Sequence, residues 1–221
     1  MNLQQISPCF DPPYESPLEE EFAWNIVKYL RNDVTFEKQV EVDTICGRFR
    51  IDFVCRGTMR IGFECDGQEY HDKCRDEWRD AMILGDDQLD VIFRLRGQDL
   101  HYHMTDCLYL LSRWEPSIFS GRGHGNLAQL ASPRAKLSPI ESNMLLLQTE
   151  PMTRMLNQAA VPFLCLRRET RHLLRNRRAY EFARKSGGGN LDGLIQKWQA
   201  ELCSKIVVVD EILNSEDRTP Q

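Results

Sequence analysis

No stretch of this chain approaches the roughly 20 consecutive apolar residues needed to cross a bilayer, so nothing in it reads as a membrane span. The opening segment, MNLQQISPCFDPPYESPLEEE, has neither a basic start nor an apolar run. That argues against a secretory leader and makes a cytoplasmic location the expectation. Eight cysteines are present but no two form a C-x-x-C pair, which leaves a structural zinc site little support and predicts reduced thiols. The net charge of −5 argues against uniform attraction to a polyanion. No internal repeat is visible.

What the chain does have is enough apolar material, 42% of its 221 residues, for a substantial core. Its charge is also unevenly spread. Residues 167–185, RRETRHLLRNRRAYEFARK, carry eight Arg or Lys against two Glu, so this segment is +6 and the rest of the chain −11. An acidic body with one basic segment suits a metal site combined with a nucleic-acid contact better than a bulk charge effect.

The first 15 residues read as an extended lead-in, and Ser16-Pro17 opens a helix with a capping residue and a proline in the first turn. Glu19, Glu20 and Glu21 follow near the positive end of its dipole, and Glu19 lies on the apolar face marked by Phe22, Ile26, Tyr29 and Leu30. Residues 34–43, 47–55 and 59–66 read as strands, 72–85 as a helix, 90–95 as a short strand and 99–114 as another helix. That order predicts an α/β fold with a mixed sheet flanked by helices. Residues 117–140, rich in Gly and Pro breakers, read as a linker or mobile loop. Residues 141–213 read as a mainly helical C-terminal region, including 141–158 and 166–185, and 214–221 as a frayed tail.

The strongest chemical signal lies in residues 48–71, RFRIDFVCRGTMRIGFECDGQEYH. Asp52 sits inside an apolar strand. In the next strand, alternation sends Ile61, Phe63 and Cys65 to one face and Gly62, Glu64 and Asp66 to the other. A hairpin around Arg56-Gly57-Thr58 would bring Asp52 beside Glu64 and Asp66. Three carboxylates so close need a counter-charge, and a hard divalent cation held by oxygen ligands supplies one.

The run Ser16-Pro17-x-Glu19, then Ile51-Asp52-Phe53, Phe63-Glu64-Cys65-Asp66-Gly67, Tyr70-His71, Asp76-x-x-Arg79-Asp80 and Val91-Ile92-Phe93-Arg94 resembles the PD-(D/E)XK nucleases. The resemblance is to their very-short-patch-repair (Vsr)-like branch with an E-x-D-G motif, over about residues 16–100. It implies a restriction-endonuclease-like fold that cuts phosphodiester bonds with Mg²⁺, for which Mn²⁺ may substitute, and DNA as the expected polymer. By position, Asp52, Glu64 and Asp66 would be the metal ligands, and Glu19 the acid from the first helix. His71 would be the branch's histidine, handling a proton or the leaving group. Asp66 stands where the signature has lysine, which would have oriented water and stabilised developing charge. By analogy the resemblance also implies a place in a phage-defence or restriction system, and the C-terminal region could dock a protein partner.

Each residue also has a plainer reading. Asp52 could pair with Arg48 or Arg50, Glu64 and Asp66 could form a solvent-facing edge, and Glu19 could be a helix-start charge worth about 0.3–1 kcal/mol. Arg79 could pair with Asp76 on its helix or contact phosphate. Arg167, Arg171, Arg175 and Arg178 fall on one stripe if their segment is helical, which could be a solvated face or a surface that neutralises phosphates. A catalytically silent nucleic-acid-binding or assembly module remains the alternative to an enzyme.

Overall fold

A computed structural model of the protein describes residues 14–67, 73–140, 144–148 and 162–202. Helix α1 (Pro17–Ile26) starts as its sequence dictates, with the Ser16 hydroxyl accepting from the Glu19 amide and proline in the first turn. Strands β1 (Thr35–Thr44), β2 (Gly47–Arg56) and β3 (Arg60–Asp66) follow as an antiparallel meander. Helix α2 (Lys73–Gly85) then crosses over so that β4 (Val91–Arg96) lies parallel to β3, and helix α3 (Gly97–Trp114) follows directly. The α/β fold with a mixed sheet flanked by helices is therefore observed.

Beyond α3 the chain differs from its sequence reading. Residues 117–140 are not a linker. After a 3₁₀ turn at Pro116–Ile118 they form α4 (Gly121–Leu130) and α5 (Pro133–Leu137), which bury Ile118, Phe119, Leu127, Ala131 and Ala135 in the main core. The breaker residues start helices here. Ser120 and Ser132 cap α4 and α5, and Gly123 sits so close to the Tyr29 carbonyl that a Cβ would collide with it.

Among the described residues from 141 onward, strands come before the helices. Strands β5 (Met144–Gln148) and β6 (Pro162–Thr170) extend the sheet to six strands in the order β1-β2-β3-β4-β6-β5, and only then does α6 (Leu174–Lys185) begin. In β6 the buried Leu164 and Leu166 alternate with the half-buried Cys165 and Arg167, so a period of two overrides the helical spacing of the arginines. Residues 191–202 are helical.

Two apolar layers clamp the sheet. On one side α1 and α3 pack on a row of phenylalanines, with Phe36 stacked on Phe53 at 5.1 Å and Phe63 on Phe93 at 5.8 Å. Each fully buried ring contributes about 1.5–3 kcal/mol. On the other side Ile83 and Leu84 of α2 pack on Val42, Ile51, Val54 and Ile92. An outer cluster joins Trp78 and Met82 of α2 to Ala179, Ala183, Leu191 and Leu194. The six described cysteines are free thiols, and Cys46, Cys55 and Cys107 are buried as small apolar groups. No helix among the described residues is long and apolar enough to cross a membrane.

One irregularity positions the site. Strict alternation would put Ile51 and Phe53 on the same face, yet Ile51 packs beneath α2 and Phe53 beneath α1. The same inversion separates Phe36 from Val42 in β1. Both reversals meet at Gln39 and Asp52, the level missing from the ladder between Lys38↔Phe53 and Val40↔Ile51. Gln39 there has φ of 50°, a left-handed conformation uncommon for a side chain-bearing residue.

Candidate functional site

The face reversal leaves Asp52 turned out of the ladder. Past Phe53↔Phe63 the β2–β3 pairing stops, and Asp52 Oδ2 takes the free Cys65 amide at 2.8 Å. Burial pushes the Asp52 carboxyl up to about 6, the Cys65 amide opposes that, and the Glu19 charge adds to the rise. Glu64 is 5% exposed, and burial likewise raises its carboxyl well above the ordinary range even though Arg79 beside it favours ionisation. Its only hydrogen bond among those described comes from Arg79 Nη2, reaching over from α2.

Glu19, also buried, completes the acidic floor. Its carboxylate accepts from the Ser16 hydroxyl at 2.9 Å, from Gln39 Nε2 at 2.9 Å and from the Glu15 amide at 3.3 Å. Glu19 is therefore fixed from two elements, which its value as a helix-start charge does not require. Asp52, Glu64 and Glu19 line one cleft of about 560 Å³, together with Arg48, Arg50, Arg75 and Arg79. Neither Arg48 nor Arg50 pairs with Asp52. Arg48 binds Glu41 and Asp43, and Arg50 binds Glu15.

Asp66 does not join them. Alternation does put it on the Glu64 face, but Arg94 Nη1 binds its carboxylate at 2.8 Å. Arg94 is buried, grips Asp80 with two bonds of 2.7 and 2.9 Å, and has Asp76 at 3.8 Å. Asp66 still raises the Asp52 carboxyl through its charge. Of the three expected ligands, Asp52 and Glu64 share the cleft with Glu19, and Asp66 is held by Arg94. Among the described residues no three His, Cys, Asp or Glu side chains could hold a metal ion together.

His71 lies outside the described residues. The predicted arginine stripe is broken up because its members sit on different elements. Arg167, on β6, binds Glu77 and Glu169, and Arg171, in the turn after β6, binds Asp87. Arg175 closes on Glu169, and Arg178 is exposed on α6. None of the four lines the acidic cleft. Arg79 does line it, and pairs with Glu64 rather than with Asp76.

Three participants escaped the sequence reading. Gln39 carries no signal, since its role depends on a backbone conformation. Arg94 stood in the quoted motif, but its grip on Asp66 and Asp80 arises from strand register. Arg75 lines the cleft from α2 and carries no sequence signal beyond its charge. No protein-family profile, curated protein or solved structure matches this chain.

Proposed function

We propose that the protein is a metal-dependent phosphodiesterase acting on nucleic acid, with DNA the expected polymer, and that the cleft between α1, β2 and β3 is its active site. The observation that carries this reading is the pairing of two destabilised carboxylates, the half-buried Asp52 and the buried Glu64, with a rim of four arginines. Carboxyls driven above their ordinary pKa in a cleft weaken a fold and are a recurrent mark of chemistry. An arginine rim suits a phosphate backbone.

Oxygen donors from two carboxylates fit Mg²⁺, which usually keeps several waters and completes its shell with substrate phosphates. Asp52 and Glu64 would hold it, and Mn²⁺ would substitute. When bound, it supplies charge stabilisation at the phosphoryl group and an acidified water. The chain's own residues do the rest. The Cys65 amide fixes Asp52, and Ser16 and Gln39 fix Glu19 at the cleft wall, where its free lone pairs can accept a hydrogen bond from water. Arg79 has a buried Nε with no hydrogen-bond partner among the described residues and so retains donors for a phosphate oxygen. Arg79 thereby offers the positive charge that Asp66 cannot.

A second reading, a nucleic-acid-binding module without catalysis, is favoured by one observation: Arg79 already neutralises Glu64 without any metal. The test is an assay of supercoiled, linear and single-stranded DNA and of RNA with Mg²⁺, Mn²⁺ or EDTA, using wild type and Glu64→Gln verified as folded. Cleavage by wild type that EDTA and Glu64→Gln both eliminate is the expected result. Binding without cleavage under every condition would establish the second reading.

A further inference from the structure

Arg79 and Arg94 project toward the same acidic strand but are engaged very differently. Arg94 spends its donors on Asp80 and Asp66, an arrangement closed on all sides. Arg79 is 17% exposed on its side chain, gives one hydrogen bond to Glu64, and leaves Nε 4.0 Å from an Asp80 oxygen already claimed by Arg94. Its guanidinium therefore sits at the cleft on a single carboxylate tether, with unused N–H groups.

We infer that Arg79 is an internal counter-ion which a divalent cation displaces from Glu64, so that metal loading releases the guanidinium to capture a substrate phosphate. This rests on the phosphodiesterase reading above. A dication at Glu64 puts two positive charges beside the one on Arg79, and repulsion between them favours departure of the guanidinium. Once released it stays in the cleft, because α2 holds its stem, and an anion is the partner it then lacks. Metal and phosphate must consequently strengthen each other's binding, as linkage requires of any two ligands that favour the same state. Without a metal the cleft is electrically closed at Glu64.

Calorimetric titration of Mg²⁺ into wild type, Arg79→Met, Arg79→Gln and Arg79→Lys tests this directly, each variant being checked for native circular dichroism. A pH of 8.5 is used because loss of the guanidinium leaves burial to push the Glu64 carboxyl further up, and protons would otherwise compete with the metal. The neutral variants should bind Mg²⁺ about tenfold more tightly than wild type, equivalent to about 1.4 kcal/mol. Arg79→Lys, which keeps a competing charge, should remain near wild type. Adding Glu64→Gln should erase the gain. Mg²⁺ binding that is unchanged or weaker in both neutral variants overturns the counter-ion role and leaves the phosphodiesterase reading standing. Absence of Mg²⁺ binding in every folded variant overturns both.

Discussion

Glu169 and Glu64 are both glutamates buried against the same sheet, 0% and 5% exposed, and the protein treats them in opposite ways. Burial acts to raise both carboxyls. At Glu169 the rise is reversed by Arg175, Asn176 and Arg167, and the carboxyl ends below its ordinary range. At Glu64 Arg79 and Arg94 oppose burial while Asp52 and Asp80 add to it, and the carboxyl ends well above. A buried acid that holds structure is surrounded by donors. Glu64, with a single donor among the described residues, is left short of them, at a cost to stability.

The largest expected effect comes from removing the arginine of a second donor-saturated cluster, the one that holds Asp80 beside Glu64. Arg94→Met leaves Asp80, Asp66 and Asp76 without their shared cation, and should cost about 3–5 kcal/mol in urea denaturation. A near-neutral result would mean that saturation contributes nothing.

Asp52→Asn sharpens the other side. The folded Asp52 carboxyl, at about 6 against 3.8 for an unperturbed one, binds more protons than the unfolded chain between those values. Stability therefore falls as pH rises through that window and stays lowered above it. Asparagine can still accept from the Cys65 amide, so the variant should be more stable than wild type by about 2–3 kcal/mol at pH 7. At pH 4 the difference should shrink toward zero, and denaturation midpoints at the two pH values measure it.

Glu169→Gln should change stability in the opposite sense by about 1–2 kcal/mol, because two arginines lose their carboxylate. The Glu169 contribution is present above the ordinary carboxyl value of 4.5 and is lost as pH falls through the lower folded value. The gap between variant and wild type should accordingly close on acidification below the ordinary carboxyl range, as followed by thermal melts.

Much of the first half was legible because local rules and tertiary structure agree there. Ser16 and Pro17 start α1, and period-two alternation sends Glu64 and Asp66 to one face of β3. Past Trp114 they part company. Gly121, Gly123 and Pro133 look like breakers but occupy first turns, where a missing side chain or amide is tolerated, and so a packed segment reads as a linker. Arg167, Arg171, Arg175 and Arg178 have helical spacing by coincidence across a strand, a turn and a helix.

At the site, proximity in sequence proved a weaker guide than pairing. Asp66 is two residues from Glu64 but is held by Arg94, whereas Glu19 and Gln39 come from distant elements and bind each other. The face reversal at Gln39 and Asp52 has no sequence signature, since neither residue is a glycine and the hydrophobic pattern simply inverts.

The central claim, that Asp52 is kept at the expense of stability because it performs phosphodiester chemistry, is tested most directly by the DNA cleavage rate of Asp52→Asn in Mg²⁺ beside wild type. The account predicts a variant that melts higher than wild type and cuts nothing. A variant that melts higher and cuts at the wild-type rate would contradict it.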